Sequence, residues 1–128
     1  QEELENVLDK AFERISRFHR ELFTIRFGKN VVNLLCRDIV YLESNKRKVI
    51  VHTVRGEYEY YHKLDEAEEE LLAISADFVR IHKAYLVNME HVEAFQYEKL
   101  ALRDGTILSI SEAHRANVRS RFWEWGSE

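Results

Sequence analysis

The chain has 128 residues, 45% of them hydrophobic, which suits one domain with its own core, and no apolar run approaches the roughly 20 residues that a membrane span needs. Seven Phe, six Tyr and two Trp, with many Val and Ile, favour strands over a helical bundle; the single Cys36 excludes an internal disulfide and fits a reducing cytoplasm. A net charge of −4 counts against nucleic acid until its distribution is read: residues 1–20 hold five acids and four bases, residues 64–77 six acids and no base, and the remainder has 15 bases against 12 acids.

Residues 1–20 are predicted to be helical. Leu4, Leu8, Ala11, Ile15, Phe18 and Leu22 recur at alternating spacings of four and three, a heptad seam flanked by Val7 and Phe12. Three heptads fit a helix packed on its own domain. They equally fit a linker that pairs with a second copy or relays the state of an upstream domain. The expected division is therefore a linker helix over 1–20 and a globular domain over 21–125, and a chain starting at Gln1 is expected to be a piece of a longer protein.

Strands follow. Leu22–Phe27 and Asn30–Leu35 flank the turn signal Gly28-Lys29, Ile39–Glu43 is a short apolar strand, and Ser44–Lys48 is a polar loop. Val49–Val54 and Glu57–Tyr61 are joined through Arg55-Gly56, with Tyr58 and Tyr60 on one face of the second strand. Leu64–Ile74 is amphipathic, its acids facing solvent. In Asp77–Asn88, Phe78, Arg80 and His82 alternate with Val79 and Ile81 as in a strand, with Arg80, His82 and Lys83 a compact basic group at that strand's end, and Tyr85, Leu86 and Val87 lead on to Asn88. After a turn at Asn88–His91 come Val92–Tyr97, Leu100–Arg103, the hairpin signal Asp104-Gly105 and Thr106–Ile110. Ser111 suits the cap of a last helix from Glu112 to about Trp125. About nine short strands make the fold mainly β.

Three places concentrate hydrogen-bond donors at element ends. Asn45, Lys46, Arg47 and Lys48 form a basic loop, whose plain reading is a solvated turn and whose functional reading is a probe for a DNA groove. His82 and Lys83, with Tyr85 nearby, are either a strand-end pair with His82 hydrogen-bonded inward or a phosphate contact. Ser111, His114 and Arg115 start the last helix, where backbone N–H groups can hold a phosphate. Enzyme chemistry finds no footing: six histidines show no metal-ligand spacing, four glycines make no phosphate loop, and Cys36 beside Arg37 reads better as a small core residue than as a nucleophile.

The stretch Phe78–Asn88 (FVRIHKAYLVN) resembles the signature of the LytTR-type DNA-binding domain, the output domain of many bacterial response regulators in the LytR/AgrA-like family. Asp38–Ser44 resembles that family's early strand and following loop, and Leu102–Ser111 its last hairpin, so the likeness spans roughly residues 21–123. It implies stacked small antiparallel sheets with one central short helix, an N-terminal linker helix and a C-terminal helix. It also implies that loops, not a recognition helix, enter successive grooves of bent double-stranded DNA at imperfect direct repeats. The loops it marks carry the same ten residues: Asn45, Lys46, Arg47, Lys48, His82, Lys83, Tyr85, Ser111, His114 and Arg115. Two positions depart from the pattern. Glu112 stands where many members have arginine, and Lys83 where others have Asn, Arg or Ser, so base preference does not carry over. The expectation is a cytoplasmic, sequence-specific DNA-binding domain without cofactor or metal, its receiver domain upstream and a homodimer on DNA open. The competing expectation is a protein-interaction or dimerisation module built on the heptad helix and a sheet edge.

Overall fold

The computed structural model describes residues 21–126, so the predicted linker helix lies outside the described residues. Ten strands are present among them: β1 (Leu22–Phe27), β2 (Asn30–Leu35), β3 (Ile39–Asn45), β4 (Lys48–Thr53), β5 (Gly56–Tyr61), β6 (Phe78–His82), β7 (Tyr85–Asn88), β8 (Val92–Phe95), β9 (Lys99–Leu102) and β10 (Ile107–Ser109). Helix α1 spans Leu64–Leu72 and helix α2 spans Arg115–Gly126. The central sheet has the order β5-β4-β3-β7-β6, with a separate β1-β2 hairpin and a β10-β9-β8 sheet; every pairing is antiparallel.

Side-chain alternation along the central strands divides the interior into two cores. One face sends Leu42, Val49, Val51, Phe78 and Leu86 against the β1-β2 hairpin (Phe23, Ile25, Leu34) and the apolar stripe of α1 (Leu64, Ala67, Leu71). The other face sends Val40, Val79, Ile81 and Val87 against Leu100, Leu102 and Leu108 of the small sheet and Val118 of α2. Because the second core lies under β3, β7 and β6 only, β4 and β5 keep an open face, where His52 stacks on Tyr41 (ring centroids 4.1 Å) between the carboxylates of Glu43 and Glu57.

The Asp77–Asn88 stretch holds two strands: β6, which ends at His82 beside the expected basic group, and β7, a second strand that was not expected. It reverses at Lys83-Ala84, with a register shift between Arg80 and His82. No glycine or proline makes this turn; the strand's own side chains do. Arg80 Nε donates to His82 O (2.8 Å), Arg80 Nη2 to Lys83 O (2.6 Å), and the Ala84 amide donates to His82 Nδ1 (3.1 Å).

At the opposite end of the sheet, Asn88 is 1% exposed. Its amide nitrogen donates to Cys36 O (3.1 Å) and Ile39 O (2.9 Å), and its oxygen accepts from the Glu90 amide (3.0 Å). One side chain thereby fastens the 3-10 turn Cys36–Asp38, before β3, to the 3-10 turn Met89–His91, after β7. The last helix differs from expectation at its start: Glu112–His114 is a 3-10 turn, α2 begins at Arg115, and Ser111 stands at the cap position without a side-chain bond to the helix backbone.

Candidate nucleic-acid interface

Strand order decides which turns meet. β3 ends, β4 starts, β5 ends and the β6–β7 turn falls at one end of the central sheet, because Asn45 pairs with Lys48, Lys48 with Tyr61, and Glu43 with Tyr85. The Ser44 amide donates to Ala84 O (2.9 Å) and the His62 amide to Arg47 O (3.2 Å), tying neighbouring turns together. The Ser111 amide donates to Ile81 O (2.9 Å), which sets the Glu112–His114 turn beside the end of β6. The three donor clusters found in the sequence therefore lie along one edge.

The first cluster is a tight hairpin. Lys46 and Arg47 are its two turn residues, Lys46 at φ 60°, and both are exposed, as is Asn45. Lys48 belongs to β4 and turns sideways along the open face, 3.6 Å from a Glu59 carboxylate oxygen and 5.0 Å from the Tyr61 ring centre.

At the second cluster Lys83 projects from the turn while His82 and Tyr85 are half-buried, their rings 5.2 Å apart. Burial, and then the positive charge of Lys83, His114 and Arg80, holds His82 below its ordinary imidazole range. The neutral ring leaves Nδ1 able to accept the Ala84 amide, so His82 shapes the turn and points at most one nitrogen outward. Arg80 was grouped with these donors on sequence grounds, and the structure corrects that. Its side chain is 12% exposed, and Nη1 is committed to Asp65 (2.8 Å) and Glu68 (2.7 Å) of α1, the other nitrogens to the turn carbonyls.

At the third cluster the Ser111 hydroxyl and His114 Nδ1 are 2.6 Å apart. When that nitrogen carries the proton, the hydroxyl is left able to donate to a phosphate oxygen. Arg115 is drawn back from the edge: Nε donates to Ile110 O (3.1 Å) and the guanidinium lies over the Tyr97 ring (5.7 Å).

The structure adds a neighbour that sequence reasoning missed. A cleft of about 850 Å³ opens between the β3–β4 turn, the β6–β7 turn and the β5–α1 junction, and Lys46, Arg47, Lys63 and Lys83 all line it with Tyr61. Lys63 is exposed at the cap position of α1, and Tyr61 is 76% exposed. His62, between them, is held back by the α1 acids, with nitrogen–oxygen distances of 3.6 Å to Glu66 and 3.3 Å to Glu70. Nothing in the local sequence distinguished these residues, since only the pairing of β5 with β4 carries them to the edge.

Exposed point charges in a row suit the phosphates of a duplex, and Asn45 and Arg47 at a hairpin tip suit base edges. Other chemistry is poorly served. Burial, with the carboxylates of Glu21 and Asp77 close by, pushes the Cys36 thiol up to about 12, far from the thiolate that a nucleophile needs. Among the described residues no three His, Cys, Asp or Glu side chains are grouped to hold a metal ion. No helix among them is long and apolar enough to cross a membrane.

Comparisons with known proteins give the family and the fold. The chain is 23% identical over 112 residues to the sensory transduction protein LytT of Bacillus subtilis (strain 168); the match takes in 84% of this chain but only 46% of LytT, so the chain spans about half the length of that relative. Its fold matches the solved LytTr DNA-binding domain of a response regulator from Bacillus cereus with a TM-score of 0.67 at 20% identity, over 80% of this chain and 96% of that one. Residues 29–123, which contain all three donor clusters, match the profile of the LytTr DNA-binding domain, and the chain belongs to that family.

Proposed function

We propose that the chain binds double-stranded DNA sequence-specifically, as the output domain of a bacterial transcriptional regulator of the two-component type acting in the cytoplasm. The observation that carries this reading is the convergence of Lys46-Arg47, Lys83 and Ser111–His114 on one edge of the sheet, joined by backbone hydrogen bonds. Lys46, Arg47, Lys63 and Lys83 contact phosphates and set affinity; Asn45, Arg47 and the Ser111–His114 pair face base edges. Lys48, His82, Tyr85 and Arg115 support these contacts from half-buried positions. The target is a duplex with imperfect direct repeats, one domain per repeat, and a receiver domain upstream supplies the signal.

Fluorescence anisotropy of the 128-residue chain against a direct-repeat duplex and its scrambled version, at several salt concentrations, tests this. Specific binders prefer their sites by about 10³-fold or more. Equal, salt-sensitive binding to both duplexes calls for selection from a random library. A selection that enriches nothing turns the reading to a protein-interaction module.

A further inference from the structure

We propose that Arg80, with Asp65 and Glu68 of α1, is a positioning device for the DNA-facing β6–β7 turn, so that carboxylates beside a DNA-binding edge raise affinity for DNA. This rests on the DNA-binding reading above. The Lys83-Ala84 turn has no glycine, proline or asparagine to fix its shape. Two of its carbonyls, His82 O and Lys83 O, are instead collected by one guanidinium at 2.8 Å and 2.6 Å. The planar fork fixes both at once, since its donors are rigidly related to one another. The remaining nitrogen, Nη1, is held at 2.8 Å by Asp65 and at 2.7 Å by Glu68, so the guanidinium is anchored to a helix packed on the first core. The chain of contacts runs from α1 through Arg80 to the backbone on either side of Lys83.

Charge counting alone leads to the opposite expectation. Asp65 lines the same cleft as Lys46, Arg47 and Lys83, and its side chain is 85% exposed, so it ought to repel a phosphate. Removing it should then tighten DNA binding. Positioning opposes this, because a turn freed from its clamp presents Lys83 in many orientations and must be ordered when DNA binds.

The test compares the wild-type chain with the double variant D65A/E68A and the triple variant D65A/E68A/R80M. Methionine in the triple variant keeps most of the volume while removing the charge that the acids balance, a replacement that folded proteins commonly tolerate. It also makes the chain more positive by one charge. Anisotropy is read on the direct-repeat duplex, or on a library-selected one, and on a scrambled duplex; amide hydrogen exchange of Ala84 is read on the free protein. The expected result is a roughly tenfold loss of preference for the specific duplex in the triple variant, about 1.4 kcal/mol. A smaller loss is expected in the double variant. The slope of log affinity against log salt stays unchanged, since no phosphate contact is removed, and Ala84 exchanges faster in both variants. Unchanged Ala84 protection, or tighter binding to both duplexes, overturns the proposal. The exchange measurement needs no DNA. Faster exchange together with a wild-type chain that selects no duplex upholds the clamp and removes the DNA-binding reading instead.

Discussion

Lys63 gives the sharpest test of the interface, because only the three-dimensional arrangement puts it there. It is exposed, its backbone is extended, and its side chain makes no cap hydrogen bond, so Lys63→Ala alters charge with little structural consequence. Each phosphate neutralised by a cation contributes about 0.9 to the slope of log affinity against log salt, so Lys63→Ala should flatten it by about 0.9. Across a fourfold rise in salt, that contact accounts for roughly a 3.5-fold loss of affinity. Four exposed cations line the cleft, so the variant K46A/R47A/K63A/K83A should flatten the slope by about 3.6, equivalent to roughly 150-fold over the same salt range. Anisotropy titrations between about 50 and about 200 mM salt resolve these changes, and thermal melting checks that each variant is folded. If Lys63→Ala leaves the slope intact while Lys83→Ala and Arg47→Ala flatten it, the β5–α1 junction does not touch DNA. If none of the single variants alters it, the edge is not the binding surface.

Asn88→Ala removes two buried hydrogen bonds and one part-buried one, although the Cys36 carbonyl keeps its bond from the Ile39 amide, and should cost about 3 kcal/mol in urea unfolding. DNA affinity of the folded fraction should hold, since Asn88 lies at the far end of the sheet; a loss under about 1 kcal/mol contradicts the bracing role. Folding lowers the His82 pKa, so its contribution to stability is fully present above the unfolded value of 6.5 and disappears as pH falls through the lower folded value. NMR titration should find His82 and the Ala84 amide changing together, with a midpoint below 6.5; a midpoint at or above it refutes the neutral acceptor. Cys36 is 2% exposed with its pKa raised, so in the native chain at pH 8 it should react with a thiol reagent only as fast as the protein unfolds. Prompt labelling contradicts that burial.

Features written in local chemistry were legible. Gly28 in the β1–β2 turn, at φ 65°, and Gly105 after Asp104, at φ 95°, marked their hairpins because a two- or three-residue reversal needs such backbone. The alternation of Tyr58 and Tyr60 with Glu57 and Glu59 gave the orientation of β5, and the apolar spacing of Leu64, Ala67 and Leu71 gave the buried stripe of α1. The break within Asp77–Asn88 was hidden because its turn is shaped by Arg80 and His82, residue types that ordinarily signal an exposed strand. The acids that engage Arg80 lie 12 and 15 residues earlier, on another element, and no periodicity links them. Lys63 and Tyr61 were hidden for a similar reason. Their relation to Lys46 and Lys83 arises from strand order, which local patterns leave undetermined.

The uneven distribution of charge bears on how the domain meets DNA. Asp65 and Glu66 line the cleft together with Lys46, Arg47, Lys63 and Lys83, so cations and carboxylates of α1 stand side by side there. A duplex beyond the screening length of about 8 Å meets a weakly repelling body. Closer in, the exposed cations of the cleft favour approaches that lead with that edge. If the chain binds DNA as proposed, encounters in other orientations should dissociate sooner than those that lead with this edge. On that reading, orientation would be selected at the encounter, before any contact with bases, at the expense of some sequence-independent hold.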